Sequence, residues 1–225
     1  MNNKPIIIIA GEPNSIFLEI FFKTIKLKSF KSPLILICSL KVLKLQMKKF
    51  NFKKQIKLIN RANLKDIKLN NKSINLINVA YSPKAVFEKI SIKSNNYLEK
   101  SFEIAFKILN SGLSYKLING PINKSNFLDR KHLGITEFIS KKFKIKKFAM
   151  LIYNKDLSVC PLTTHLPLKL VAKNVNQKKI KEKAILINDF YLKNIGSKPR
   201  IGVVGLNPHC ESILKFNEDT KILLP

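Results

Sequence analysis

Apolar residues along this chain come in short runs separated by polar turns, and the runs switch between two periods. Ile6 to Ala10 is unbroken and apolar, the pattern of a parallel strand buried on both faces. Gly11-Glu12-Pro13-Asn14-Ser15 ends that run and offers an N-cap. Ile16 to Lys26 then has helical spacing, with Ile16, Ile20 and Phe21 plus Thr24 or Ile25 on one side. Pro33 to Cys38 predicts a second strand, Leu40 to Phe50 a second helix, and Gln55 to Ile59 and Ser73 to Val79 shorter strands. Between the last two, the Lys-rich and Asn-rich stretch from Asn60 to Lys72 reads as exposed connection. The clearest helix runs from Ser94 to Ser111, with Leu98, Phe102, Ala105, Phe106 and Leu109 in register and Gly112 at the C′ position. Tyr115 to Asn119 is the next strand, closed by Gly120-Pro121-Ile122-Asn123-Lys124, and a short helix follows from the Leu133 to Phe138 segment to Phe143. Phe148 to Tyr153 and Leu157 to Thr163 predict a hairpin around Asn154-Lys155-Asp156. Asn176 to Leu192 predicts a helix, Gly196 to Pro199 a turn and Arg200 to Gly205 a strand. Strands alternating with helices predict an α/β fold, a three-layer α/β/α sandwich with a mixed sheet. With no internal repeat or linker, residues 1–225 read without an internal domain boundary.

Charge changes this picture less than its size suggests. The net charge of +28 invites a nucleic-acid or membrane-surface partner. Yet only Arg61, Arg130 and Arg200 of the 42 basic residues are arginine, and the lysines are spread through every segment. Readers of phosphate and base edges use the planar, bidentate guanidinium generously. The texture therefore reads as compositional drift, and nucleic acid is not the expected partner. Cys38, Cys160 and Cys210 are odd in number and widely spaced, which fits reduced thiols in a cytoplasmic protein. The apolar run after Lys4-Pro5 is too short for a secretory signal, and nothing approaches a membrane span.

Candidate chemistry collects at strand ends. Gly11, Gly120, His165 and His209 each stand just beyond a predicted strand, the edge where open α/β sheets build ligand sites. Two of the three histidines sit in Thr163-Thr164-His165-Leu166-Pro167-Leu168 and Gly205-Leu206-Asn207-Pro208-His209. Their imidazoles suit a metal, and equally suit loop residues that cap or hydrogen-bond. Gly11-Glu12-Pro13 could offer backbone N–H groups to an anion or be a turn, and Lys124 could meet a phosphate or be a solvated lysine. Thr136 and Glu137 offer a hydroxyl and a carboxylate, or cap the helix they open; His132 reads as a surface histidine. The patterns G-x-S-x-G, Walker A and H-E-x-x-H do not occur.

Taken in order, GEP, NGPINK, GITEF, TTHLPL and GLNPH resemble the successive signatures of the 4-hydroxythreonine-4-phosphate dehydrogenase (PdxA) family of vitamin B6 synthesis. The resemblance spans nearly the whole chain from Gly11 onward and implies an isocitrate/isopropylmalate dehydrogenase-like fold. It implies a cytoplasmic homodimer with active sites at the subunit interface, acting on a small phosphorylated amino acid. By the same resemblance His165 and His209 match two ligands of a divalent metal (Zn, Mg, Co or Mn), and Thr136 matches a substrate-binding residue. The implied reaction is NAD- or NADP-dependent oxidation of the C3 hydroxyl of 4-phosphohydroxy-L-threonine, with decarboxylation to 3-amino-2-oxopropyl phosphate. A divalent cation suits both halves, lowering the hydroxyl pKa and then stabilising enolate charge.

Two departures from the family pattern stand out. Ile135 occupies the position of the histidine in the family's GHTE motif, which removes a substrate contact there, one that His132 would have to replace. The family also continues beyond Pro225, with roughly its last third, including a third metal histidine in a YHDQ-like motif, lying past that point. Two histidines alone make an incomplete catalytic metal site. The readings left open are the dehydrogenase itself, a paralogue acting on another four-carbon acid phosphate, a catalytically inert truncated chain, and a basic nucleic-acid-binding module.

Overall fold

A computed structural model describes residues 3–61, 64, 67–128, 134–211 and 216–225. The chain divides into two compact units, Met1–Arg130 and Lys131–Pro225.

In the first unit the elements run β1 (Ile6–Ile9), α1 (Phe17–Leu27), β2 (Leu34–Cys38), α2 (Leu40–Lys49), β3 (Ile56–Leu58), β4 (Ile74–Asn78), α3 (Asn95–Asn110), β5 (Lys116–Asn119) and α4 (Lys124–Phe127). The strands form one sheet in the order β3-β4-β2-β1-β5, parallel at every pairing. Unbroken apolar sequence marks the strands buried on both faces: β2 is buried throughout and β1 and β4 nearly so. The edge strands β3 and β5 carry lysines and stay largely exposed.

Alternation along the strands sends Ile8, Leu36, Cys38, Ile74 and Leu76 to one face, where they pack with Leu18, Phe21 and Phe22 of α1 and Val42 and Leu43 of α2. Ile7, Ile9, Ile35 and Ile37 point the other way, and α3 packs against β1 and β2. Two helical layers around a parallel sheet realise the expected α/β architecture. Helix α3 buries Leu98, Phe102, Ala105 and Phe106, and ends at Gly112 with φ of +74°. Burial pushes the Cys38 thiol up to about 12, so this thiol is a core group.

The expected face of α1 is corrected. Ile16 and Ile20 are 60% and 50% exposed, while Leu18, Phe21 and Phe22 are buried. Spacing alone admits two overlapping stripes, and the helix turns the one with both phenylalanines to the sheet, where Phe22 stacks on Phe52 at 4.6 Å.

The second unit contains α5 (Ile135–Lys142), α6 (Val171–Asn174) and α7 (Gln177–Phe190), the last capped by Asn176 and wound on through Tyr191–Ile195 to Gly196. The expected hairpin is reduced to one antiparallel bridge, Ile152 with Val159, closed by reciprocal backbone bonds of 2.8 and 3.0 Å. That bridge is the antiparallel pairing among the described residues, the sheet itself being parallel. Residues 201–205 form no strand, and Val203 and Val204 are 56% and 87% exposed. An apolar run becomes a strand only when a neighbour takes up its N–H and C=O groups, and among the described residues no ladder partner lies beside this one.

Candidate active site

Two of the four expected strand-end positions follow real strands. Gly11 lies two residues past β1 and Gly120 directly after β5, and the β1–β5 pairing brings the two loops together. The Gly120 N–H donates to Ile9 O at 2.8 Å, and the Glu12 N–H to Pro121 O at 2.8 Å. A β-carbon on Gly120 would meet Ala10 O at 2.2 Å; on Gly11, where φ is +75°, it would meet Pro121 O at 2.4 Å. These glycines are there because backbone touches backbone.

Glu12 is 3% exposed, and its carboxylate accepts from Ser94 Oγ at 2.8 Å and from the Asn123 N–H at 3.3 Å. The Glu12 amide is already spent inside the protein, which of the two readings of Gly11-Glu12-Pro13 favours the turn. Asn123 accepts from the Asn126 N–H at 3.0 Å and caps α4, at whose start Lys124 is exposed. A carboxylate tying the β1 and β5 loops to the residue before α3 has no signature in sequence spacing: Glu12, Ser94 and Asn123 are far apart along the chain.

In the second unit the GITEF and TTHLPL segments meet. Gly134 is the N-cap residue of α5 and makes no side-chain cap, so Thr136, half-buried, and Glu137 lie in its first turn. Glu137 does not cap the helix. Its Oε1 accepts from Thr164 Oγ1 at 3.1 Å, and its Oε2 is buried without a hydrogen-bond partner among the described residues. A β-carbon on Gly134 would stand 2.7 Å from Glu137 Oε2 and 3.2 Å from His165 Nε2, so carboxylate and imidazole converge on the space this glycine leaves. His165 has φ of +56°, a left-handed conformation uncommon without glycine.

His209 and Cys210 also have φ of +57° each, and both are exposed. Their loop is anchored by Asp219, 5% exposed, whose carboxylate accepts from the Leu206 N–H at 2.6 Å, the Asn207 N–H at 3.1 Å and Asn207 Nδ2 at 2.8 Å. Burial raises the Asp219 pKa, but the hydrogen bonds from Leu206 and Asn207 outweigh it and hold the carboxyl below its ordinary value. Asp219 was invisible to motif reading because its partners, two backbone amides and the Asn207 side chain, lie 12 and 13 residues away.

His165 and His209 therefore lie in strained loops, the first served by the half-buried Glu137 and the second by the buried Asp219; of the predicted strands before them, one is reduced to a single bridge and the other is absent. The donor chemistry at His165 suits a divalent cation, since an imidazole stands close to a carboxylate oxygen that has no hydrogen-bond partner among the described residues. Among the described residues no three His, Cys, Asp or Glu side chains form a complete metal-holding group. His132 lies outside the described residues. Among the described residues no helix is long and apolar enough to cross a membrane.

Comparison with known proteins adds to this geometry. The family model described as pyridoxal phosphate biosynthetic protein PdxA matches residues 29–225. The chain is 32% identical over 215 residues to 4-hydroxythreonine-4-phosphate dehydrogenase of Aquifex aeolicus, a match covering 92% of this chain and 64% of that protein. It is 27% identical to D-threonate 4-phosphate dehydrogenase of Salmonella typhimurium, covering 100% of this chain and 70% of that one. The crystal structure of 4-hydroxythreonine-4-phosphate dehydrogenase from Klebsiella pneumoniae shares the fold, with a TM-score of 0.78 at 23% identity over 98% of this chain and 70% of that one. The chain thus spans less than two thirds of the length of the Aquifex relative.

Proposed function

The chain belongs to the PdxA family, and from that premise we propose that it serves the oxidation and decarboxylation of 4-phosphohydroxy-L-threonine to 3-amino-2-oxopropyl phosphate in pyridoxal phosphate synthesis. The observation that carries this reading is the meeting of two family motifs: Thr164 of TTHLPL donates to Glu137 of GITEF at 3.1 Å, bringing His165 beside the first turn of α5. In this reading NAD or NADP accepts the hydride from C3, and a homodimer with interface active sites works in the cytoplasm.

His165 and His209 would hold the divalent metal, and imidazole suits Zn, Co or Mn better than Mg. When bound, such an ion polarises the substrate's oxygen and steadies the negative charge that develops. Thr136 offers its hydroxyl to the substrate from the first turn of α5, where unpaired backbone N–H groups also favour an anionic group. Glu12, buried under the β1 and β5 loops, keeps Asn123 in place and with it the start of α4.

A second reading is favoured by Ile135 and by the D-threonate 4-phosphate relative. Ile135 is apolar and cannot supply the hydrogen bond that the family's histidine gives. An assay of NAD(P) reduction with Mn or Zn present, offering 4-phosphohydroxy-L-threonine and D-threonate 4-phosphate separately, decides between them. Turnover of the first is expected; turnover of the second alone moves the assignment to the paralogue. If neither turns over, Zn titration decides: weak binding, lost with His165→Ala, keeps the site assignment, and binding unaffected by that change rejects it.

A further inference from the structure

We propose that Glu137 is a positioning residue for His165: its carboxylate oxygen, which has no hydrogen-bond partner among the described residues, is placed to take up the ring Nε2–H across the space at Gly134 and so present the other ring nitrogen for a ligand. This rests on the reading of His165 as a metal ligand, and it goes beyond that reading by assigning a role to a residue the family resemblance left with none.

Three features support it. The first is Glu137 itself, with one oxygen tied to Thr164, the neighbour of His165, and the other buried and unsatisfied. A buried carboxylate oxygen without a partner is costly unless something charged or N–H-bearing meets it. The second is Gly134. Its φ of −163° is extended backbone that any residue adopts, so the glycine is there for space and not for conformation. A methyl group at Gly134 would fall 2.7 Å from Glu137 Oε2 and 3.2 and 3.3 Å from Nε2 and Cδ2 of His165. The carboxylate and the Nε2 edge of the ring thus share one opening. The third is the left-handed backbone of His165, which the Thr164–Glu137 bond secures on its N-terminal side and Pro167 limits two residues later.

A carboxylate on the second ring nitrogen is the usual means by which a metal-binding histidine is fixed in tautomer and orientation. The alternative for Glu137, a helix cap, does not hold: one oxygen accepts from Thr164 and the other accepts no helix N–H among the described residues.

Nitrogen NMR of the histidine rings in the metal-free 225-residue protein tests the proposal without a variant. Only three histidines need assignment, and His165→Ala identifies the relevant signal. The Nε2–H tautomer is expected at His165; a dominant Nδ1–H tautomer overturns the proposal. Zn affinity by chelator competition gives a second readout. Glu137→Leu is expected to weaken binding about 10- to 100-fold. Glu137→Gln should stay within a few-fold of the parent, because its amide oxygen can still accept the ring N–H while its NH2 meets the Thr164 hydroxyl. Equal loss in both variants would mean direct ligation and overturn the positioning role. Loss with His165→Ala but none with Glu137→Leu rejects this inference alone, whereas no loss with His165→Ala rejects the site reading beneath it.

Discussion

The two units hold their candidate loops by different means. In Met1–Arg130 the Gly11 and Gly120 loops inherit their positions from the sheet: β1 and β5 pair in register, and backbone meets backbone with no room for a side chain. In Lys131–Pro225 the His165 and His209 loops follow no strand, and carboxylates hold them, Glu137 through Thr164 and Asp219 through Leu206 and Asn207. The first arrangement is rigid because the whole core would have to move to change it. The second rests on a few hydrogen bonds and can be altered locally, and its apolar residues, Val204 at 87% exposure among them, contribute little to a core.

The contrast is broken most severely, if it is wrong, by truncating the first unit's core. Phe102 is 1% exposed and lies 5.7 Å from the Phe106 ring and 5.6 Å from that of Phe127. Phe102→Ala is expected to cost about 3–5 kcal/mol, measured by urea unfolding. A loss under about 1 kcal/mol would mean that α3 is not bound to the sheet as described. Next comes Gly120→Ala, expected to cost about 3 kcal/mol because the new methyl meets Ala10 O, a backbone atom that cannot swing aside. Gly11→Ala meets a comparable clash with Pro121 O and adds the strain of a left-handed φ.

Asp219→Ala sharpens the other side. It should leave the first unit untouched and release the Leu206 and Asn207 amides, seen as faster hydrogen exchange at those two positions. The pH dependence has a definite sign. The folded carboxyl sits below the ordinary aspartate value of 3.8, so its contribution is complete above that value and is lost as pH falls through the lower folded one. Exchange at Leu206 and Asn207 should accelerate over that acid range in the parent and lack that acceleration in the Ala variant. A parent profile identical to the variant's would show that Asp219 does not anchor the loop.

The same difference explains what could be read from the sequence. Strands of the first unit are buried by their neighbours on both sides, so apolar runs such as Ile6 to Ala10 and Pro33 to Cys38 announced them almost to the residue. Arg200 to Gly205 also holds an apolar run, Ile201, Val203 and Val204 among glycines, and no strand, because pairing depends on a partner segment that local pattern does not contain. The motif residues His165, His209 and Thr136 were legible as types in order. Their supports were not: Glu12, Glu137 and Asp219 act through hydrogen bonds to distant Ser, Asn or Thr groups and to backbone amides, which leave no periodicity behind.

The smallest expected effect tests this explanation with one residue type. Val42 in α2 is 2% exposed and packs in the sheet core, whereas Val204 is 87% exposed. Each has an apolar neighbour in sequence, Leu43 after Val42 and Val203 before Val204, so a reading based on local pattern alone would rank them together. Burial ranks them apart. Val42→Ala removes two methyl groups from a close-packed interior and should cost about 1–3 kcal/mol, while Val204→Ala removes groups already in water and should stay within about 0.5 kcal/mol. Paired urea melts measure both. A cost at Val204 approaching that at Val42 would mean that residues 201–205 are covered in solution, and the apolar run would then have found the partner that its sequence alone suggested.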